Sequence, residues 1–328
     1  MAAVSQALVA WTVLEGAATV ANLALLGMLN GAAAGVALAA SSALVPQTVP
    51  AQSLRQANAF IQLGIYGGTV LGASLGGILV SAVGPGWGLA IDAAGFALAA
   101  PLYFLIRVTS SGIRASSGNI LQELREGWSE FSGRAWVWSI VLQFTIINAA
   151  FSGVVMLLGP VIAGGSFGRA RWGIIIAAQS VGLMVGSFLA LRWHARRDLF
   201  VGVMLAVFCA VPTFLLSQSA SAPWLIAAFF IAGVTFGLFG VSWAQALQTH
   251  IPAEKLARVY AYDAIGSFVA IPFGELIAGP AAIHFGSSGV LAVSTAAILL
   301  ATLGASLVPA TRRLDSVPQM KSIKIDDH

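Results

Sequence analysis

The sequence predicts an all-α, polytopic membrane protein built from two similar bundles of helices. Apolar residues make up 58% of the 328 residues and charged residues 9%, whereas soluble globular domains have about 45–50% and about 25%. A soluble fold would leave much of that apolar surface facing water. Two further observations support the prediction: nine apolar stretches are each long enough to cross a bilayer, and one part of the chain recurs further along it.

The nine predicted spans divide the chain into parts. A bilayer crossing takes about 20 residues of helix, and the stretches of that length lie near 17–45, 56–82, 85–107, 135–163, 170–193, 198–217, 222–248, 259–284 and 287–308. A tenth stretch, near 1–14, is too short for a full span. The predicted parts are an N-terminal bundle (1–107), a linker (108–134), a C-terminal six-helix bundle (135–308) and a tail (309–328).

The internal repeat has a constant offset of 202 residues. Val49–Leu54 returns as Ile251–Leu256, and six residues then recur without a gap. They are Ala59, Gly64, Gly72, Gly77, Gly84 and Leu89, which return as Ala261, Gly266, Gly274, Gly279, Gly286 and Leu291. In both copies a short polar loop leads into a long apolar run. Similar hydrophobic halves arranged one after the other are typical of secondary transporters, which predicts a parallel pseudo-repeat.

The basic residues predict the orientation of the spans. Fourteen of the sixteen fall on one side: Arg55, Arg107, Arg114, Arg125, Arg134, Arg192, Arg196, Arg197, Lys255, Arg258, Arg312, Arg313, Lys321 and Lys324. The positive-inside tendency assigns that side to the cytoplasm, so the linker and the tail are expected inside the cell, with the spans in the plasma membrane.

The linker is predicted to contain an amphipathic helix. Ile120, Leu121, Leu124, Trp128 and Phe131 fall on one helical face, and acidic residues lie elsewhere. This pattern favours a helix lying along the membrane surface. A solvated linker is the alternative.

Composition and motif content also limit the classes of function that the chain is expected to have. The formal charge of +4 is scattered among apolar spans and forms no dense patch, so no nucleic-acid partner is expected. The single cysteine, Cys209, lies in an apolar run and predicts a buried, inert thiol. Neither a Ser-His-Asp arrangement nor metal-ligand spacing nor a phosphate loop stands out, so we expect no enzyme activity, metal or cofactor.

Small residues repeat at helical spacing within the spans. Gly64, Gly68 and Gly72 are four apart, as are Gly182 and Gly186. Such spacing lets helix backbones approach closely in a membrane. Fillers that face lipid are the alternative.

Ionisable groups within the spans are costly in a bilayer, so each is a functional candidate. Glu275 lies about sixteen residues into a predicted span and is the candidate proton- or cation-coupling site, with a hydrogen-bonded structural carboxyl as the alternative. Asp263 lies nearer the cytoplasmic end and is a candidate for a gating or structural ion pair with Arg258 or with basic loop residues. Asp92 is a further candidate for a gating or structural ion pair, and its favoured role is to anchor the outer end of a helix.

Polar and aromatic side chains within the spans are candidates for lining a cavity. Asn58, Gln62 and Tyr66 are spaced by four and share a helical face. Further candidates are Gln143, Asn148, Gln179, Trp243 and Gln245. The alternative for any one of them is a hydrogen bond between helices.

Several short segments carry a resemblance to a known family. They are Ala43–Pro50, Ala57–Ala59, Gly84–Trp87 and Ile91–Phe96 in the first half, and Arg258-Val259, Asp263 and Pro272–Gly274 in the second. In this set the chain resembles the major facilitator superfamily, and within it the bacterial exporters of siderophores and macrolides. The resemblance covers nearly the whole chain. It implies a two-bundle fold in which helices seven and ten line the pathway, which ranks Asn148 and Trp243 highest for substrate contact.

Compared with the twelve helices of that family, the stretch near 1–14 corresponds to the end of the third helix. The resemblance therefore implies that the first two helices, and the Gly/Asp/Arg motif that follows them, are absent. The second-half counterpart of that motif is expected at Gly186–Arg197, which keeps the basic residues without the acidic one.

A second motif of the family, Gly-Pro-x-x-Gly-Gly, is typical of its antiporters. Here Gly72, Gly76 and Gly77 match it, and Ala73 replaces the proline. The motif favours export by exchange, with ordinary small-residue packing as the alternative.

These observations predict a secondary transporter that exports a small amphipathic molecule (a drug, siderophore or metabolite), coupled to a proton or cation gradient. A truncated remnant that does not transport, or an incomplete gene model, is the first alternative. An intramembrane enzyme is the second, and it would need catalytic residues clustered near one interface.

Overall fold

The computed structural model describes residues 1–106, 120–193 and 197–314, and these residues are almost entirely helical. We number the helices α1 (Ala2–Leu14), α2 (Val20–Thr48), α3 (Leu54–Val83), α4 (Pro85–Phe104), α5 (Ile120–Ser132), α6 (Ala135–Gly165), α7 (Arg169–Ala190), α8 (Asp198–Ser217), α9 (Ala222–His250), α10 (Ala253–Phe268), α11 (Ala270–Leu307) and α12 (Pro309–Arg313). A 3₁₀ turn at Ala51–Ser53 precedes α3. The all-α prediction is confirmed for this part of the chain.

The repeat found in the sequence is also present in the helix boundaries. Helices α2 and α9 each have 29 residues, and both their first and their last residues are 202 positions apart. Pro50 and Pro252 adopt similar extended conformations before the next helix, with φ of −60° and −56°. The chain therefore turns in the same way after corresponding helices of the two halves.

One pair of matching glycines has a conformation that explains its recurrence. Gly84 separates α3 from α4 with φ of 87°, and Gly286 interrupts α11 with φ of 75°. Positive φ is costly for residues with a Cβ but not for glycine. Both positions break a helix between two predicted spans, so the same backbone turn occurs in each half.

Within the part of the chain that the structure describes, six helical segments are long and apolar enough to cross a membrane: Val20–Thr48, Ala135–Gly165, Arg169–Ala190, Asp198–Ser217, Ala222–His250 and Ala253–Leu307. The prediction of nine full spans is therefore not confirmed. One cause is that Ala253–Leu307 is counted as one segment, although Gly286 breaks it between the spans predicted at 259–284 and 287–308. Helices α3 and α4, with 30 and 20 residues, are not among the six.

The glycine spacing has different consequences in two helices. In α7, a Cβ at Gly182 or Gly186 would overlap backbone of α9, and Gly233 and Gly237 face α7 in the same way. Close packing is confirmed there, and these glycines bring the two backbones together.

In α3 the packing prediction is wrong for several glycines. A Cβ at Gly64, Gly68, Gly72 or Gly76 would meet nothing within 4 Å, because that side of α3 faces no neighbouring helix among the described residues. The surroundings of Gly77 lie outside the described part.

Two helices deviate from regular α geometry where they pack together. Asn148–Val155 forms a π-helical segment inside α6. The helix opposite is interrupted at Val269, between α10 and α11. Pro272 accounts for this interruption, because it has no N–H for the carbonyl of Phe268 four residues earlier. The backbones approach closely at Gly153 and Gly274, where a Cβ would collide with the opposite helix.

Candidate functional site

A cavity of about 230 Å³ lies among α3, α6, α9 and α10. At a rise of 1.5 Å per residue, Asp263 is about 15 Å from the start of α10 and Asn148 about 20 Å from the start of α6. Tyr66, Asn148 and Phe239 lie near the middle of α3, α6 and α9, so the cavity is about halfway along these three helices. Of the predicted site residues, the structure places Tyr66, Asn148, Trp243 and Asp263 around this cavity.

Aromatic rings form much of the cavity wall. Phe144 of α6 stacks on Phe239 of α9 with ring centroids 4.0 Å apart, and Phe239 stacks in turn with Trp243. Phe236 meets Phe144 edge-on at 5.6 Å. Because each ring is fixed by its neighbours, the wall presents a large and rigid apolar surface.

The cavity wall carries one acidic side chain, Asp263, which is half-buried. Its Oδ2 accepts a hydrogen bond from Trp243 Nε1 at 2.9 Å, and its Oδ1 accepts one from Ser267 Oγ at 3.2 Å. Both donors are neutral. Among the described residues that line the cavity there is no basic side chain.

The expected ion pair between Asp263 and Arg258 is not formed. Arg258 Nη1 contacts Glu126 Oε2 at 3.1 Å instead. The physical reason is helical geometry: five residues at 3.6 per turn place the two side chains about 140° apart around α10. Asp263 faces the cavity, and Arg258 faces α5.

Asn148 connects the two irregular helices beside the cavity. Its Nδ2 donates to the carbonyl oxygen of Ser267 at 2.9 Å. That carbonyl lies in the last turn of α10, close to the interruption caused by Pro272. A π-helical segment inside an α-helix is frequently found at a functional site, and here it begins at Asn148.

Polar contacts connect the two halves at the end of the bundle where α5 lies, which we call the linker end. Arg55 at the start of α3 forms an ion pair with Asp198 at the start of α8, and both side chains are buried. Nearby, the side-chain amides of Asn58 and Gln248 bond reciprocally at 2.7 and 3.1 Å. Asn58 therefore joins α3 to α9 and does not line the cavity.

The linker helix α5 packs against α10 through both ion pairs and aromatic contacts. Lys255 Nζ lies 2.7 Å from Glu130 Oε2, and Arg134 binds the other oxygen of that carboxylate. The hydrogen bonds from Lys255 and Arg134 lower the pKa of Glu130, so it stays ionised at neutral pH. Trp128 and Phe131 meet the ring of Tyr262 at 5.5 and 5.9 Å.

The amphipathic helix is confirmed as a helix, and part of its apolar face is covered by α10. Phe131 is buried, whereas Leu124 and Trp128 are about half exposed. The side chains of Ile120 and Leu121 lie outside the described part, as do His194, Arg107, Arg114, Arg196, Lys321 and Lys324.

Several predicted site residues lie away from the cavity. Glu275 is exposed on α11. Asp92 is exposed and lies two turns into α4, beyond the first turn in which a helix dipole acts. Gln179 is on α7, where its backbone carbonyl packs against Gly233. Gln62 lies against Gly240 at the edge of the cavity, and Gln143 bonds to Val203 and Thr302 inside the bundle.

Sequence reasoning missed Phe144, Phe236 and Phe239 as parts of the site. A signal was present, because Phe236, Phe239 and Trp243 are spaced by three and four and share one face of α9. In a chain with 18 phenylalanines, that spacing does not distinguish a cavity wall from ordinary packing.

Comparison with known proteins identifies a family. The sequence profile described as Major Facilitator Superfamily matches residues 1–275. The chain is similar to the uncharacterized MFS-type transporter YvqJ of Bacillus subtilis (strain 168), with 23% identity over 272 residues, which cover 81% of this chain and 64% of that protein. It is also similar to the uncharacterized MFS-type transporter y4rN of Sinorhizobium fredii, with 24% identity over 77% of this chain and 64% of that protein. The match thus spans less than two thirds of the length of each of these relatives.

Proposed function

We propose that this chain, which belongs to the major facilitator superfamily, moves a small amphipathic molecule across the plasma membrane by alternating access. The observation that supports this proposal best is the cavity midway along the helices. Three of its walls come from α6, α9 and α10 of the second half, and Tyr66 comes from α3 of the first half. Transporters of this kind rock two halves around a site near the bilayer midplane.

The proposed direction is export, in exchange for protons. Gly72, Gly76 and Gly77 match an antiporter motif in the sequence, although no helix contacts Gly72 or Gly76 among the described residues. Asp263 is the carboxyl group that faces the cavity, so it can bind and release a proton where the substrate sits. We therefore place proton coupling at Asp263 and retain Glu275 as the second candidate.

The linker-end contacts are proposed to close one of the two alternating states. The pair Arg55–Asp198 and the amide pair Asn58–Gln248 both join helices of different halves. They lie on the same side of the cavity, close to the starts of α3, α8 and α10. Separating the halves at this end requires breaking all of these contacts together.

Flux of a fluorescent amphipathic dye into inverted membrane vesicles tests the function. Vesicles that contain the protein are expected to accumulate the dye when a proton gradient is imposed, and a protonophore is expected to abolish the accumulation. Vesicles prepared without the protein are the control. Accumulation that persists after the gradient is dissipated would contradict proton coupling, and accumulation no greater than in control vesicles would contradict transport.

The proposed orientation places α5 in the cytoplasm and the connection between α6 and α7 outside. Cys209 is 1% exposed, so a single introduced cysteine reports its own position. Ser129→Cys on α5 is expected to react with a membrane-impermeant maleimide only after cells are permeabilised. Ser166→Cys, exposed at the opposite end, is the matched control and is expected to react in intact cells. The reverse pattern would invert the orientation.

A further inference from the structure

We infer that the cavity takes a small organic cation with one or two apolar rings. This inference rests on the proposed function, since it names the class of molecule that the transporter would carry. It depends on three properties of the cavity, which are its charge, its aromatic wall and its size.

Among the residues that the structure describes, no basic side chain lines the cavity to compensate the charge of Asp263. Asp263 receives hydrogen bonds from Trp243 and Ser267, which are both neutral. A carboxylate has about four acceptor positions, so Asp263 keeps acceptor capacity for a ligand. The nearest basic residue along the same helix, Arg258, is directed to Glu126 on α5. A cation in the cavity would offset the charge of the carboxylate, whereas an anion would be repelled by it.

The aromatic wall favours the same class of ligand. Phe144, Phe239 and Trp243 form a continuous stack beside the carboxyl group. The same rings supply apolar contact area for the uncharged part of the molecule. An acid next to an aromatic wall therefore suits a ligand that is both apolar and positively charged.

The size of the cavity limits the ligand. Its volume is about 230 Å³. This volume is below the ~300–1,000 Å³ that is typical of drug-sized ligand pockets. A one- or two-ring cation fits this space. A macrolide or an iron-loaded siderophore would not be enclosed by it.

The test uses purified full-length protein in detergent, without any gradient. The cationic probe is radiolabelled N-methyl-4-phenylpyridinium, and the neutral probe is 4-phenylpyridine, which has the same two rings and is uncharged at pH 8. Equilibrium dialysis is expected to show saturable binding of the cation at least about tenfold tighter than binding of the neutral probe. Asp263→Asn is expected to remove that preference while leaving binding of the neutral probe unchanged, which shows that the cavity is still folded.

The matched control is Glu254→Gln, which removes an exposed carboxylate from the first turn of the same helix. This variant is expected to bind the cation as the parent does. Equal binding of the two probes by the parent, or an unchanged preference in Asp263→Asn, would overturn the inference. Cation binding without gradient-driven flux would contradict the proposed function and leave this inference standing. Gradient-driven flux of a dye without cation binding would contradict this inference and leave the proposed function standing.

Discussion

Replacing Asp263 by asparagine is expected to abolish gradient-driven accumulation of substrate while leaving the protein folded. Asparagine has nearly the same shape, and its carbonyl oxygen can still accept one hydrogen bond from Trp243 or Ser267. It cannot bind and release a proton. Because Asp263 is the acidic side chain at the cavity, substrate movement would then be uncoupled from the proton gradient. We expect accumulation in proteoliposomes to fall by at least tenfold, which corresponds to about 1.4 kcal/mol.

The matched variant for this experiment is Glu275→Gln, because it distinguishes proton coupling at Asp263 from proton coupling at Glu275. The sequence ranks Glu275 first, since it lies deepest in a predicted span. The structure places its side chain on the exposed side of α11, away from the cavity. Glu275→Gln is therefore expected to retain most of the gradient-driven accumulation. Loss of accumulation in Glu275→Gln, with Asp263→Asn unaffected, would restore the original ranking. Unequal reconstitution is excluded by measuring the amount of folded protein in each preparation.

The difference between these two carboxylates shows what a sequence can and cannot predict about a membrane helix. Counting residues gives depth, because the rise per residue is constant. It gives the facing direction only while the helix is regular. The interruption at Val269 and Pro272 lies between Asp263 and Glu275, so the helical face cannot be extrapolated from one to the other. Depth along the predicted span singles out Glu275 in the sequence. Whether a carboxylate lines the cavity depends instead on the direction in which its side chain faces.

The repeat was predictable because it depends on local backbone requirements. Proline before a helix and glycine at positive φ impose the same turn wherever they occur. Pro50 with Pro252, and Gly84 with Gly286, therefore correspond in the structure as they do in the sequence. Helix boundaries follow from these residues without any knowledge of packing.

Packing partners were not predictable in the same way. Gly182 and Gly186 have the same spacing as Gly64 and Gly68, yet among the described residues only the first pair lies against another helix. Spacing shows that a close approach is possible on one face. Whether a neighbour is present depends on how distant parts of the chain are arranged, and this information is not contained in a single helix. The aromatic wall is a similar case, since Phe144 and Phe239 are far apart in sequence and meet only in the folded bundle.

Removing the positive charge of Arg55 is expected to open the linker end of the bundle. Arg55 and Asp198 are 6% and 5% exposed, and they join α3 of the first half to α8 of the second. Arg55→Met keeps an unbranched apolar stem but removes the guanidinium that forms the ion pair with the buried carboxylate of Asp198. Breaking a buried pair from one side costs roughly 3–5 kcal/mol. A change of that size shifts an equilibrium between two states by a factor of about 10² or more.

The opening can be measured as a distance distribution between spin labels at Gln52→Cys in the first half and Arg197→Cys in the second, both exposed at the linker end. Arg55→Met is expected to move the distribution to longer distances. Adding Asp198→Asn removes the carboxylate charge as well, while keeping an oxygen for the N–H of Leu199, which Asp198 Oδ1 accepts at 2.9 Å in the parent. The double variant is therefore expected to return toward the parent distribution, because the cost of burying a carboxylate that has lost its ion pair with Arg55 is removed with the charge. If the single variant leaves the distribution unchanged, Arg55 and Asp198 do not hold the two halves together. If both variants are equally open, the attraction between Arg55 and Asp198 is what closes the linker end. The cost of burying the carboxylate of Asp198 without Arg55 is then a minor contribution to the opening.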